Sequence, residues 1–205
     1  MRRILPLFLA LLFILAACAE KEPALFSLDA DGYGCTDTES GIHYIALPLS
    51  FEPVLTETVR GVYVDGAYKR TYYEIENADP AHYLGDGEGG VWYAGEEPIP
   101  APESLTPAAV LLFEEQVASV QTRRFLAGKD DAVIAEILAL WFEGEAVELP
   151  EGTYDVCRRV KLQSLELPNI YYCFEYRSFG ENAYFWDMYS GRAVAVPATL
   201  DAEIY

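Results

Sequence analysis

Hydrophobic and polar positions alternate with a period of two over two stretches near the end of the chain. In Tyr154–Gln163, residues Tyr154, Val156, Val160 and Leu162 fall on one side and Asp155, Arg159 and Lys161 on the other. In Ile170–Arg177, residues Ile170, Tyr172, Phe174 and Tyr176 oppose Glu175 and Arg177 in the same way. Such alternation predicts antiparallel strands with one buried and one wet face. Ala183–Tyr189 and Arg192–Val196 follow, divided by Gly180-Glu181-Asn182 and Ser190-Gly191, which are turn formers. A four-stranded meander is predicted there.

The period changes in the middle of the chain. Ile134, Ile137, Leu138 and Trp141 recur at helical spacing between Asp131 and Gly144, which predicts a helix. Val110, Phe113, Val117 and Val120 predict another, with Thr106-Pro107 at its start, Arg123 and Arg124 near its end and Gly128 beyond. Residues 28 to 100 read as strands and loops. Gly41–Phe51 is a predicted strand, and Asp65-Gly66 predicts a hairpin that sets Tyr63 opposite Tyr68. Glu96–Pro107 holds four prolines and predicts an extended connector. The expected class is α+β: antiparallel sheet packed against two central helices. Residues 28–205 are expected to form one domain, divisible into a β part (28–100) and a helix-plus-meander part (106–205).

Composition sharpens this. Of 205 residues, 52% are hydrophobic and 14% aromatic, which excludes a disordered chain. Against 33 acidic residues stand 14 basic ones, a formal charge of −19. Nucleic acid is excluded as a partner, because its phosphates bind clustered Lys and Arg.

The N-terminus carries the most specific signal. Arg2 and Arg3 precede an uncharged run of 14 residues, Ile4 to Ala17. As a helix the run is roughly 21 Å long, short of the ~30 Å hydrocarbon core. A positive start, a short apolar stretch and small residues at its end are the parts of an export signal. Leu15-Ala16-Ala17-Cys18 resembles the lipobox of bacterial lipoproteins. The resemblance implies cleavage after Ala17 (signal peptide 1–17), thioether lipidation of Cys18, and acylation of the new amino group, with palmitate expected. Residues 18–27 then read as a tether of at most ~35 Å. The implied location is the extracytoplasmic face of the cell membrane, and Ala19 after the lipidated cysteine leaves outer-membrane sorting open. The stretch from Asn169 to Pro197 also resembles uncharacterised small lipoproteins of Gram-positive bacteria, a resemblance that brings no activity with it.

Signatures of chemistry are sparse. There is no HExxH, CxxC or G-x-S-x-G. Gly85, Gly87 and Gly90 fit G-x-G-x-x-G, but Asp86 and Glu88 would repel a pyrophosphate, so this reads as a surface loop. Asp29 to Asp37 spaces its acids somewhat like a calcium loop, yet Ser40 stands where a bidentate glutamate should. No cofactor and no metal are expected. The two histidines, His43 and His82, have no marked nucleophile beside them. Cys157 and Cys173 share the polar side of neighbouring strands and are candidates for a disulfide. Direct pairing requires a turn centred at 165, whereas the turn-like residues lie at 167–169. Tyr171, Tyr184, Trp186 and Tyr189 are candidates for a binding face, competing with an ordinary role in the core.

The expected function is therefore a non-catalytic, lipid-anchored module that binds a ligand or partner, with the membrane as one partner and a protein or carbohydrate as the other. A cell-envelope hydrolase and an accessory subunit of a membrane complex are the alternatives. A pocket holding His43 or His82 beside a carboxylate and a hydroxyl favours the enzyme. A flat apolar patch favours a protein partner, and a groove lined by Tyr and Trp favours a carbohydrate.

Overall fold

The structure is a computed structural model and describes residues 23–95, 101–114, 123–126, 131–167 and 169–204. The stretch expected to be an export signal, residues 1–17, and Cys18 lie outside the described residues. Among those described, no helix is long and apolar enough to cross a membrane.

The first half forms eight strands: Ala24–Leu28 (β1), Gly34–Asp37 (β2), His43–Ala46 (β3), Phe51–Pro53 (β4), Leu55–Asp65 (β5), Tyr68–Ile75 (β6), Tyr83–Asp86 (β7) and Val91–Tyr93 (β8). Seven of them close into a barrel in the order β1-β2-β3-β8-β7-β6-β5. Neighbours run antiparallel, except that β1 and β5 meet in parallel and complete the ring. Closure removes the unpaired edges that an open sheet would expose. Register shifts in β5 between Leu55 and Gly61 supply the bend, as bulges do. Gly61 permits the seam, because a Cβ there would lie 2.2 Å from the Phe26 ring. Phe26, Cys35, Tyr44, Tyr72, Leu84 and Trp92 fill the interior.

The second half is a sheet with helices on one face. Its strands are Pro107–Glu114 (β9), Arg123–Leu126 (β10), Ala146–Val147 (β11), Val156–Ser164 (β12), Ile170–Phe179 (β13), Asn182–Trp186 (β14) and Ala193–Val196 (β15). They lie in the order β10-β9-β12-β13-β14-β15-β11, and β4 leaves the barrel to pair with β13. Helices Asp131–Glu143 (α1) and Ala198–Ile204 (α2) pack on the sheet. Ile134, Ile137, Trp141, Leu200 and Ile204 meet Val160, Phe174, Tyr176 and Phe185 there. A third apolar cluster, including Leu47, Phe51, Ile75, Val91 and Ile170, joins barrel to sheet.

The expected α+β class with two central helices is corrected to a mostly β protein containing a closed barrel. The helix expected from Thr106 to Gly128 is where the expectation failed. Pro107–Glu114 is a strand pairing β12 on one side and β10 on the other. Val110 and Leu112 face the helices, while Leu111 is 1% exposed on the opposite face. A strand buried on both faces loses its alternation and mimics a buried helix. Val117 and Val120, which completed the helical stripe, lie outside the described residues. Ala24–Leu28 is the first barrel strand, so residues 24–27, expected in the tether, belong to the fold.

Helix α1 and the meander β12–β15 follow their patterns. The Asp65-Gly66 hairpin forms with Asp65 opposite Tyr68, so Tyr63 faces Arg70 and meets Tyr68 diagonally, ring centroids 6.2 Å apart. Gly41–Phe51 is interrupted after Ala46 and resumes at Phe51.

One turn recurs. Asp37 and Asp187 each open a D-x-x-S-G corner. Asp37 Oδ1 accepts the Glu39 N–H at 2.8 Å and Oδ2 the Ser40 hydroxyl at 2.7 Å. Asp187 accepts the Tyr189 N–H at 3.0 Å and the Ser190 hydroxyl at 2.8 Å. In both, the glycine N–H donates to the aspartate carbonyl at 2.8 Å and adopts a positive φ, 76° at Gly41 and 71° at Gly191. Part of the acidic excess thus serves to close hairpins.

Candidate functional site

Between barrel and sheet lies a cavity of about 1020 Å³. The link from β3 to β4 crosses it, contributing Leu47 to Phe51, and the β1–β2 hairpin adds Gly32 and Tyr33. The barrel supplies Arg70 from β6 together with Asp86, Glu88, Val91 and Trp92 from β7–β8. From the other side come Trp141 of α1, Tyr172 of β13, and Asp187, Tyr189, Ser190 and Arg192 of the β14–β15 corner. Val91, Phe51, Trp92 and Trp141 are buried, so the walls are mostly carbon.

The polar groups in these walls are engaged with the protein. Asp86 accepts the Trp92 indole N–H at 2.8 Å and the backbone N–H groups of Glu88 and Gly90. Arg70 donates to Glu88 at 3.0 Å and to the Tyr68 hydroxyl at 2.9 Å, with its guanidinium 5.3 Å from the Trp92 ring centroid. Burial opposes the charge of Arg70, but Tyr68, Glu88 and Asp86 outweigh it and raise its pKa. Trp141 donates its indole N–H to the Tyr172 hydroxyl at 3.2 Å, and burial pushes the Tyr172 phenol up. Arg192 donates to the carbonyls of Trp141 and Gly144. It thereby caps the C-terminal end of α1, where carbonyls lack helical partners and the dipole favours a cation. Asp187, 5% exposed, accepts the hydroxyls of Ser50 at 3.1 Å and Ser190 at 2.8 Å.

Of the four candidate aromatics, Tyr189 lines the cavity and is 48% exposed. Tyr171, Tyr184 and Trp186 lie on the face of the sheet away from the helices, alternating with the core residues Tyr172 and Phe185. Their rings meet the protein's own side chains. Arg177 sits 3.7 Å from the Trp186 centroid, Lys161 sits 5.8 Å from that of Tyr171, and Tyr184 packs edge-on to Phe179. The same face carries an ionic network: Arg159 and Lys161 bind Glu52 of β4, and Arg159 and Arg177 bind Glu175. Burial would raise the Glu52 carboxyl, but the Lys161 hydrogen bond and the charges of Arg159 and Lys161 hold it below the usual carboxylate range.

The register separates the two cysteines considered for a disulfide. Cys157 stands opposite Arg177 and Cys173 opposite Lys161, four residues along the ladder, so the two are not joined to each other, and the Cys157 thiol donates to Glu175 at 3.6 Å. Burial pushes the Cys173 thiol up, and that of Cys35 inside the barrel up to about 12. Since the thiolate is the nucleophile, iodoacetamide is expected to modify Cys157 in the native protein while Cys35 and Cys173 react only after denaturation. Peptide mapping that finds Cys35 or Cys173 labelled as fast as Cys157 would overturn this.

The histidines stand apart from the cavity. His43 Nε2 lies 3.0 Å from Asp29, and His82 Nδ1 3.6 Å from Asp79. The acids of the calcium-like stretch are likewise in local use: Asp31 accepts the Tyr33 N–H and Asp37 closes its corner. Among the described residues, no cluster of His, Cys, Asp or Glu is placed to hold a metal. Gly85, Gly87 and Gly90 form the β7–β8 hairpin and its end.

Nothing in the sequence pattern marks Arg70, Trp92, Asp187 or Arg192 as cavity residues, and Trp141 is marked only as part of a helical stripe. The one available signal was the repeated D-x-x-S-G, which marks Asp187 as a corner residue and says nothing of a cavity. No protein-family profile matches the chain, and no curated protein or solved structure matches it significantly.

Proposed function

We propose that this protein is a lipid-anchored, extracytoplasmic module that binds a ligand in the cavity between barrel and sheet and performs no catalysis on it. The cavity carries this reading: it is concave, mostly apolar, and formed where two packed units meet, which is where small-molecule sites concentrate. The anchor rests on Arg2-Arg3, the short apolar run and Leu15-Ala16-Ala17-Cys18.

The geometry at Asp187 favours binding over hydrolysis. Both nearby hydroxyls, Ser50 and Ser190, donate to one carboxylate that is already closing a turn. An activated serine needs a base free to take its proton and a third group to orient that base. His43 and His82 are paired elsewhere.

The test is native mass spectrometry of the protein extracted from its own membranes. A thioether-lipidated Cys18 and a non-covalent adduct are expected. Leu49→Arg, a change at a lining residue that is 56% exposed and so tolerant in folding terms, should deplete the adduct. Cys18→Ala should abolish membrane association. An unlipidated soluble product, or an adduct indifferent to Leu49→Arg, would refute the corresponding half of the proposal.

A further inference from the structure

We infer that the cavity takes the acyl chain of a single-chain amphiphile with an uncharged head, an inference that rests on the proposed ligand-binding role. Four observations converge on that chemistry. The polar atoms in the walls already have partners: the indole N–H groups of Trp92 and Trp141, the guanidinium of Arg192 and the carboxylate of Asp187 all bond within the protein. A saccharide must be paid in hydrogen bonds for the water it loses, and these walls have few left to offer. The two tryptophans offer no stacking platform, since Trp92 and Trp141 are each 2% exposed.

The mouth is apolar as well. Tyr33 is 70%, Leu49 56% and Tyr189 48% exposed, and they come from three separate segments that converge on the cavity. Ile45 and Met188, each next in sequence to a lining residue, are also exposed. Exposed apolar residues gathered around an opening mark a ligand or membrane contact more than chance does.

Charge turns away an anionic head. The lining holds the carboxylates of Asp86, Glu88 and Asp187 against the guanidiniums of Arg70 and Arg192. Arg70 is paired with Glu88 and lies 3.9 Å from Asp86, so its charge is answered, and Arg192 is held by helix carbonyls. The chain as a whole carries −19, which repels an anionic head over distances comparable to the Debye length. Size agrees. At about 1020 Å³ the cavity is at the top of the range, roughly 300–1,000 Å³, that encloses drug-sized ligands.

The experiment uses tryptophan fluorescence. The chain has three tryptophans, and Trp186 lies away from the cavity, so Trp186→Phe leaves Trp92 and Trp141 as reporters. The full chain in detergent-free form is titrated with 1-monodecanoylglycerol and 1-monododecanoylglycerol as monomers in solution, with decanoate and dodecanoate as anionic counterparts and maltotriose and chitotriose as sugars. Each buried methylene is expected to tighten binding about fourfold, so the two-carbon extension should gain roughly 15-fold. Leu49→Arg should weaken both monoacylglycerols at least tenfold. Fluorescence changes with either trisaccharide and none with the glycerides would overturn the acyl assignment while leaving a binding module in place. Equal affinity for the carboxylate anions would overturn the uncharged head. No response to any probe, together with no adduct on the membrane-extracted protein, would overturn the binding role itself.

Discussion

Replacing Trp141 with alanine is expected to lower the unfolding free energy by roughly 3–5 kcal/mol, the range for deleting a large buried aromatic. Trp141 is 2% exposed and stacks on Phe174 with ring centroids 4.4 Å apart and planes 10° from parallel. With Ile134 and Ile137 it seats α1 on the sheet. Truncation would leave a void beside Phe174, strip the Tyr172 hydroxyl of its indole donor, and remove the ring that Arg192 lies against at 5.6 Å. Trp141→Phe keeps a ring on Phe174 and loses only the donor and part of the volume, so a smaller cost is expected. Urea unfolding of the two variants beside the parent checks the order. A Trp141→Ala loss below 1 kcal/mol would mean that the helix is not seated as described.

Arg159→Ala is expected to cost about 3 kcal/mol at neutral pH, the low end for breaking a largely buried pair. Arg159 links Glu52 of β4, which comes from the barrel side, to Glu175 of β13. Lys161 and Arg177 remain on those carboxylates in the variant, which keeps the cost from rising further. The pH dependence gives the sharper test. Glu52 is held below the ordinary carboxylate value of 4.5 in the folded chain. Its contribution is therefore present above that value and lost as pH falls through the lowered one. Without Arg159 the Glu52 carboxyl moves upward, so less stability remains to be lost to acid. The gap between parent and variant should accordingly be widest near neutrality and shrink well below pH 4.5. A gap that stays constant would show that Arg159 acts by packing and not by charge.

These two sites also show why sequence patterns succeed in one place and fail in another. Ile134, Ile137 and Trp141 were legible because α1 buries one stripe and wets the rest, so its period survives in the residue order. The meander was legible for the same reason with a period of two. Its polar side, Arg159, Lys161, Glu175 and Arg177, is ordered by mutual ion pairs and aromatic rings, without losing the alternation that revealed it. β9 was not legible. Apolar groups are welcome on both of its faces, and a run such as Val110-Leu111-Leu112-Phe113 fits a buried helix as well as a central strand. Only its partners β10 and β12 choose between them.

What the residue order determined by itself is local: where hairpins turn and where a helix repeats. Local geometry depends on side chains a few positions apart, so it is written in spacing. Barrel closure and the cavity were decided by tertiary structure alone. The seam joins Ala24 to Gly61 across a long stretch of chain, and the cavity collects Tyr33, Trp92, Trp141 and Asp187 from segments with no common period. Contacts between distant segments are chosen by how well whole surfaces exclude water together, and no window of sequence contains both surfaces.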